Sequence, residues 1–398
     1  MAALEYWLWL SSAGLSPRAK AALIERYGDA EAVFHAPDGA FSELRELSRS
    51  EAGVLERRDL SLAYEIAEAC ERQGIQAVSL QDAAYPQRMR HIFAPPVVLY
   101  VKGSLSLLGN RAVIAVLGTR RGSVYGQRMS ECISGEIARC GGVVLSLLTS
   151  EIERTAAEAA LRENGGVIGV LGVPHEREAG RLAAEVAQHG ALVSEYPPFT
   201  RPLSSFFRDR NRVAAGLSVG VLVVEAPEKS GTHLFVAEAA EQGKEIFAVP
   251  GNADAESSAG TLRMIREGAK LVTCGWDVMS EFEELYPNSV RFIPASANYV
   301  RTEKPAPAPA KAESGQEESI DKPPEKAYID LSKQLAGLSE TQLRIVAAID
   351  RQAKHIDDII EETGLPTATV LAQLTVLEIK GFVRHEPGRR FTLNITKK

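Results

Sequence analysis

The chain has 398 residues, 45% of them hydrophobic and 6% aromatic, and its 45 Lys and Arg against 52 Asp and Glu give a formal net charge of −7. This length is sufficient for a full α/β core and one or two smaller modules. The acidic balance excludes a protein that coats a polyanion with its whole surface, so any nucleic-acid site must be local.

The four cysteines exclude a zinc site or a disulfide framework, because they form no Cys-x-x-Cys pair and no histidine stands at ligand spacing. We therefore expect reduced cysteines, no metal and no cofactor. The apolar stretch Tyr6–Leu10 follows Glu5 and no basic residue, and it is too short for a signal-peptide core or a membrane span. We expect a cytoplasmic protein with no membrane partner.

Residues 1–75 predict a small helical domain. Helices are predicted at Tyr6–Ser12, Pro17–Tyr27 and Ala30–His35, and glycines interrupt them. The glycine turn at 13–18 is similar to a helix-hairpin-helix or SAM-like corner, in which backbone amides contact DNA phosphate. A purely structural helix corner is the alternative, because a single glycine is a weak signal.

Residues 76–290 predict an extended Rossmann domain of the α/β class, with a doubly wound parallel sheet. A proline-led strand at 95–103 is expected to bridge the helical domain and the sheet. After it, apolar segments alternate with helical ones. The predicted strands are 113–117, 143–147, 167–171, 191–194, 219–224, 246–249 and 271–273.

Ligands of such sheets bind outside the carboxyl ends of the strands, where three segments stand out: Gly118–Arg121, Glu225–Thr232 and Pro250–Asn252. We expect Gly118 to let the backbone approach an anion and the helix Tyr125–Arg139 to direct its positive end at the same point. The dinucleotide fingerprint Gly-x-Gly-x-x-Gly is absent. The first segment therefore predicts a phosphate site rather than an NAD site.

A second basic segment, 201–212, contains four arginines, one aspartate and two adjacent phenylalanines. Guanidiniums neutralise successive phosphates and aromatic rings stack on unpaired bases, which is the chemistry of single-stranded nucleic-acid binding. We place it on the loop after the 191–194 strand, leading into a helix near Asn211–Leu217. A solvated basic face with core phenylalanines is the alternative, which we accept for Phe206 but not for Arg210–Arg212.

The predicted DNA-binding residues are Gly118, Thr119, Arg120, Arg121, Arg201, Phe207, Arg208, Arg210, Asn211, Arg212, Lys229, Ser230, Gly231, Thr232, Gly251 and Asn252.

Residues 291–335, rich in Pro, Ala, Glu and Lys, predict a linker with little to bury. Residues 336–398 predict a winged helix, with helices at 340–350, 356–363 and 366–378 and strands at 382–384 and 390–393. Its third helix lacks Lys and Arg before Lys380, so specific duplex binding is not favoured. A basic wing of Arg384, His385, Arg389 and Arg390 can touch phosphate, and a transcription regulator stays an alternative.

The chain resembles the DprA/Smf family of DNA-processing proteins over nearly all its length. The matching motifs are Tyr85-Pro86, Pro95–Gly103, Gly118–Arg120, Ser194–Pro198, Arg210–Arg212 with Gly216–Ser218, Glu225 with Lys229–Gly231, Glu241–Gly243 and Ala248–Asn252. The resemblance implies single-stranded DNA binding, transfer of the strand to the recombinase RecA in natural transformation or recombination, and a homodimer. It carries phosphate contacts onto Arg120, Arg201 and Arg210, and the dimer interface onto Ile265 and Leu271.

One stretch departs from the family pattern. Where relatives carry a glycine-rich Ser-Gly-x-Ala-x-Gly-Ile-Asp turn, this chain reads Ser-Leu-Leu-Thr-Ser-Glu-Ile-Glu at 146–153. Close backbone approach to a ligand is harder without the glycines, and we interpret the turn as a rebuilt pocket beside a retained polyanion groove.

We predict no enzyme activity and assign no catalytic residue. The glycine-rich motifs of the related phosphoribohydrolases are missing, and Glu195 and Glu225, the carboxylates at strand ends, lack an evident partner. His175 and His233 also stand alone. A Rossmann enzyme that processes nucleotides or nucleoside monophosphates is the alternative.

Overall fold

The computed structural model describes residues 2–178, 180–293, 339–349, 354–380, 382–386 and 390–393. The chain divides into two compact units, 1–302 and 303–398. The linker predicted at 291–335 falls largely on 294–338, outside the described residues, and the predicted boundaries at 75, 290 and 335 stay predictions.

The first unit begins with short helices that end at turns. They are α1 (Leu4–Ser12), α2 (Pro17–Tyr27), α3 (Ala30–Phe34), α4 (Arg49–Leu55) and α5 (Ser61–Gln73). Helix α2 has the predicted bounds because the Ser16 hydroxyl accepts from the amide of Ala19 (3.2 Å), Pro17 fits the first turn, and Gly28 ends the helix at φ +89°.

An α/β sheet follows, and its strands and helices alternate largely as predicted. The strands are β1 (Gln76–Ser79), β2 (Val98–Gly103), β3 (Val113–Gly118), β4 (Val143–Ser146), β5 (Gly166–Leu171), β6 (Gly190–Ser194), β7 (Gly220–Glu225), β8 (Glu245–Ala248) and β9 (Lys270–Leu271). The helices are α6 (Gln87–Arg90), α7 (Val124–Arg139), α8 (Glu151–Arg162), α9 (Arg181–His189), α10 (Phe206–Leu217), α11 (Thr232–Glu241), α12 (Ala259–Arg266) and α13 (Gly275–Met279).

Within the described residues the sheet has nine strands in the order β1-β2-β6-β5-β4-β3-β7-β8-β9. The strands from β6 to β9 in this order are parallel, whereas β2 pairs antiparallel with both β6 and β1. The α/β class and the doubly wound core are confirmed. The predicted parallel sheet is corrected at one edge, where β2 pairs antiparallel with both of its neighbours.

Alternation along the strands separates three hydrophobic cores. In β3, Ala115 faces one side of the sheet and Val116 the other. In β2, Leu99 joins the sheet core while Tyr100 packs against the N-terminal helices, where its hydroxyl lies 2.5 Å from Ser11 Oγ. The predicted bridging role of this segment is therefore carried by the two faces of a single strand.

The second unit has the predicted winged-helix order. It contains α14 (Glu340–Ala348), β10 (Lys354–His355), α15 (Ile356–Thr363), α16 (Thr367–Ile379), β11 (Val383–Glu386) and β12 (Arg390–Leu393). The strands pair antiparallel in the order β10-β12-β11. Strand β10 was not predicted, because two residues are too few to show a period. The tip of the wing, including Arg389, lies outside the described residues.

Candidate nucleic-acid interface

The sheet places a cleft where the winding direction reverses. In the order β5-β4-β3-β7-β8-β9, the chain moves from β3 to β4 to β5 toward one edge of the sheet and from β7 to β8 to β9 toward the other. The position between β3 and β7 is therefore the switch point at which such folds bind ligands. A cleft of about 750 Å³ opens there. Gly118–Arg120 after β3 and Lys229–Thr232 after β7 both line it, as two of the three predicted segments require.

The third predicted segment lies outside this lining. Neither Gly251 nor Asn252 borders the cleft. The hydroxyl of Tyr125 donates to the Pro250 carbonyl (2.6 Å), and a Cβ on Gly251 would lie 2.0 Å from Ser258 Oγ. Gly251 thus serves local packing.

Gly118 is required by packing within the protein. A Cβ at this position would lie 2.4 Å from Cδ1 and 2.7 Å from Cγ2 of Ile152 on α8. A Cβ on Gly122 would likewise lie 2.8 Å from Ile152 Cγ1. The absence of a Cβ at Gly118 therefore admits the first turn of α8, and the approach of a ligand to its backbone stays a prediction.

The N-terminus of α7 already holds an anion from the protein itself. Glu225 at the end of β7 is 2% exposed, and its carboxylate accepts from the amide of Ser123 (2.9 Å) and from its hydroxyl (2.5 Å). A Cβ on Gly126 would lie 2.2 Å from this carboxylate. The predicted anion site at this helix end is therefore occupied, and it fixes the geometry of the segment that carries Arg120.

The turn between β4 and α8 forms another wall of the cleft. Ser150 caps α8, and Oε2 of Glu153 accepts from the amides of Thr149 and Ser150 (both 3.0 Å) and from the Thr149 hydroxyl (2.7 Å). Leu148 holds the turn at φ +57°. We interpreted this turn as a pocket beside the groove, whereas Leu147, Thr149, Ser150 and Glu153 line the same cleft; the capping-box spacing Ser150-x-x-Glu153 after a strand was a usable signal for the turn.

Helix α10 divides the basic segment between two sides. It begins at Phe206, not near Asn211 as predicted, so Phe207, Arg210 and Asn211 share one face and line the cleft. Phe206 is half-buried and stacks on Tyr196 with ring centroids 3.7 Å apart. Phe206 therefore packs against Tyr196, although it is only half-buried and not part of the core predicted for it.

Arg212 points away from the cleft and pairs with an internal acid. Its Nη2 donates to both carboxylate oxygens of Glu195 (2.7 Å each), and Nη1 donates to the Ala94 carbonyl. The two side chains are 8% and 10% exposed. A guanidinium committed in this way stabilises the fold and has no free edge for phosphate, so the DNA contact predicted for Arg212 is corrected to a structural role.

Arg210 is equally buried, at 7% exposure, but its guanidinium is not committed. Within the described part of the chain, Nε and Nη1 have no hydrogen-bond partner. The guanidinium lies 5.3 Å from the ring centroid of Phe207. Burial lowers the pKa of Arg210, and the carboxylate of Glu153 acts in the opposite direction. A buried cation with no carboxylate in direct contact is costly, which sets Arg210 apart from Arg212.

The remaining cations of the cleft are exposed. Arg120, Arg208 and Lys229 have solvent-exposed side chains, and the lining contains only one carboxylate, that of Glu153, among the described residues. Lys229 precedes α11, whose N-terminal residue Thr232 also borders the cleft. Four cations around one opening give a local positive site in an acidic chain.

Of the predicted DNA-binding residues, those that line the cleft are Gly118, Thr119, Arg120, Phe207, Arg208, Arg210, Asn211, Lys229, Ser230, Gly231 and Thr232. Those outside its lining are Arg121, Arg201, Arg212, Gly251 and Asn252. Arg121 and Arg201 are exposed.

Neither carboxylate that we considered for catalysis is free. Glu225 and Glu195 are bonded to Ser123 and Arg212. His175 is buried with Nε2 2.9 Å from the Tyr100 carbonyl oxygen, and His233 Nε2 lies 3.1 Å from that of Pro227.

No group of three or more His, Cys, Asp or Glu suited to a metal occurs among the residues described. In the same residues no helix has the length and apolar character to cross a membrane.

The two predicted interface residues lie near the far edge of the sheet. Leu271 belongs to the edge strand β9 and is 48% exposed. Ile265 on α12 is partly buried against the sheet core. In the second unit, α16 exposes Leu371 and Thr375 and has no cation before Lys380, and its weak duplex readout stays a prediction.

Comparison with known proteins gives two family matches. The sequence model described as DNA recombination-mediator protein A matches residues 76–283, and the one described as DprA winged helix domain matches residues 330–389. The DNA processing protein DprA of Bacillus subtilis (strain 168) is 38% identical over 228 residues, which are 56% of this chain and 76% of that protein.

Solved structures are also similar to this chain. DNA processing protein A from Streptococcus pneumoniae is 30% identical, covers 71% of this chain and 99% of its own, and has a TM-score of 0.61. DNA processing protein A from Helicobacter pylori, described for its unique single-stranded DNA binding mode, is 25% identical over 53% of this chain and 97% of its own, with a TM-score of 0.48. By the family-model match and the Bacillus subtilis relative, the chain belongs to the DprA/Smf family of DNA processing proteins.

Proposed function

We propose that the switch-point cleft binds single-stranded DNA without sequence preference. The observation that carries this proposal is the convergence of Arg120, Arg208, Arg210 and Lys229 on one opening, beside the half-exposed ring of Phe207. Cationic side chains neutralise phosphates of any sequence, and an aromatic ring stacks on any unpaired base, for about 1–3 kcal/mol per base.

The dimensions of the cleft favour a single strand over a duplex. Its volume of about 750 Å³ is in the range of small-ligand sites, whereas a duplex buries its base faces in the stack and offers only groove edges. Phe207 and Leu234, 47% and 62% exposed, border the cleft and can contact bases only when these are unpaired.

The salt dependence of binding tests the proposal. Each phosphate contact on a single strand contributes about 0.7 to the slope of log Kobs against log salt. Arg120→Ala and Lys229→Ala should therefore each weaken binding and lower this slope by about 0.7. Titration of a fluorescent single-stranded oligonucleotide at several salt concentrations measures both quantities.

The matched control is Arg181→Ala on α9. This arginine is 90% exposed, pairs with Glu185 and does not line the cleft, so its loss changes the net charge equally. Wild-type affinity and slope in both cleft variants would refute the site, as would an equal loss in the control.

We propose further that the protein acts in DNA recombination by delivering the strand to RecA, as a homodimer and without catalysing a reaction. The support is the family, described as a recombination mediator. The assay is RecA filament assembly on coated single strands with wild type and Arg120→Ala. An equal stimulation by both proteins would contradict delivery through the cleft.

A further inference from the structure

The cleft has an exposed rim and a buried floor, and the two carry different cations. Arg120, Arg208 and Lys229 are exposed at the rim, whereas Arg210 lies on the floor at 7% exposure. The floor is completed by side chains that are at most 5% exposed, namely Leu117, Leu147, Ser150, Glu153 and Phe235. A strand that crosses the rim meets the exposed cations, but only a group that enters the cleft meets Arg210.

The guanidinium of Arg210 borders the cleft. Nε and Nη1 are buried and have no hydrogen-bond partner among the described residues, so Nη2 is the nitrogen that remains for a phosphate oxygen. Phe207 lies against the guanidinium at 5.3 Å, and Gly172 leaves room for both, since a Cβ there would lie 3.2 Å from the ring and 3.5 Å from Arg210 Cδ. These contacts hold the guanidinium of Arg210 in place.

The neighbouring acid does not neutralise this cation by contact. Among the described residues Nε and Nη1 of Arg210 form no hydrogen bond to Glu153, and Oε2 of Glu153 accepts from Thr149 and Ser150. On the opposite wall, Ser230 and Gly231 precede the ten-residue helix α11, which begins at Thr232 and whose positive end adds to the site. A Cβ on Gly231 would meet no atom within 4 Å, so this wall is open.

Depth and charge together favour the end of a strand. An internal phosphodiester carries one charge and two flanking nucleotides, both of which must turn sharply for it to reach a buried floor. A terminal phosphate monoester brings only one nucleotide, has three free oxygens and carries a charge near −1.5 to −2 at neutral pH. Its greater charge suits a floor cation supported by the three cations of the rim.

We propose that Arg210 forms a subsite for a terminal phosphate monoester of single-stranded DNA, so that the cleft distinguishes phosphorylated strand ends from internal positions. This inference rests on the proposed single-strand function, which it refines. The rim binds the backbone of any strand, and the floor adds affinity only when an end phosphate is present.

The experiment compares oligonucleotides of about six nucleotides, identical in sequence, with a 5′-phosphate, a 3′-phosphate or no terminal phosphate. Fluorescence anisotropy with the full chain measures the affinities. We expect one phosphorylated form to bind about tenfold tighter than the unphosphorylated form. Arg210→Ala should reduce that ratio to about one, whereas Arg120→Ala should weaken all three and keep the ratio.

The outcomes separate the two proposals. Equal wild-type affinity for all three oligonucleotides overturns the end subsite and leaves single-strand binding intact, and this comparison needs no variant to fold. No binding of any oligonucleotide overturns both proposals. A ratio that persists in Arg210→Ala also overturns the subsite. A deoxynucleoside monophosphate is the competitor: weak competition supports a strand end, and competition equal to the phosphorylated oligonucleotide overturns it in favour of a free nucleotide.

Discussion

Replacing Gly118 with alanine tests whether this glycine serves internal packing. The new Cβ would lie 2.4, 2.7 and 2.8 Å from Cδ1, Cγ2 and Cβ of Ile152, far inside the optimal carbon separation of about 3.5–4.0 Å. Ile152 is fully buried, so it cannot simply move into solvent. We expect Gly118→Ala to lower the free energy of unfolding by about 1–3 kcal/mol.

A double-mutant cycle identifies the cause. Ile152→Ala alone should cost about 2–5 kcal/mol through loss of buried volume. In the double variant the methyl group added by Gly118→Ala occupies part of the vacated space, so the combined cost should fall short of the sum by about 1 kcal/mol or more. Urea unfolding followed by circular dichroism measures all four proteins.

The control is Gly231→Ala in the same cleft, where a Cβ meets nothing within 4 Å and φ is −61°. We expect its stability to change by no more than about 1 kcal/mol. If Gly118→Ala keeps full stability and loses affinity for single-stranded DNA, the packing argument is refuted and ligand approach is restored. Strict additivity in the cycle would also refute it.

Two further predictions concern assembly and pH. Leu271→Glu should give a monomer by light scattering, because a charge would replace an apolar side chain at the proposed interface. The control Leu62→Glu, at similar exposure on α5, should not change the mass. An unchanged mass for both variants disproves this interface. Burial lowers the pKa of His175 from 6.5 to about 4, so the unfolded state binds the proton first, and stability should fall as pH drops from about 6.5 to 4, by up to about 3 kcal/mol. His175→Gln should remove that part of the decline, and an identical pH profile would exclude the histidine.

The sequence predicted the elements well where their signal is local. Helix α2 has the predicted bounds because its cap, its first-turn proline and its terminal glycine are all local to the helix in the chain. The core strands β3 to β8 were found because buried parallel strands appear as uninterrupted apolar runs. The two-residue strand β10 carries no such run and was missed.

The candidate site was located more reliably than its individual residues were assigned. Placement at the carboxyl ends of β3 and β7 follows from the alternation of strands and helices alone. Arg210 and Arg212, however, are two positions apart in one motif, and only the helical start at Phe206 turns one toward the cleft and the other toward Glu195.

By itself, the sequence determined the α/β class, the alternation of strands and helices, the winged-helix pattern and the local concentration of cations, since each depends on residues close together in the chain. The tertiary structure alone decided that Ile152 packs against Gly118, that Glu225 occupies the end of α7, and that Arg212 is paired whereas Nε and Nη1 of Arg210 have no partner in the described part of the chain. These contacts join residues from separate strands and helices, and their pairing depends on side-chain direction in space, which no spacing along the chain encodes.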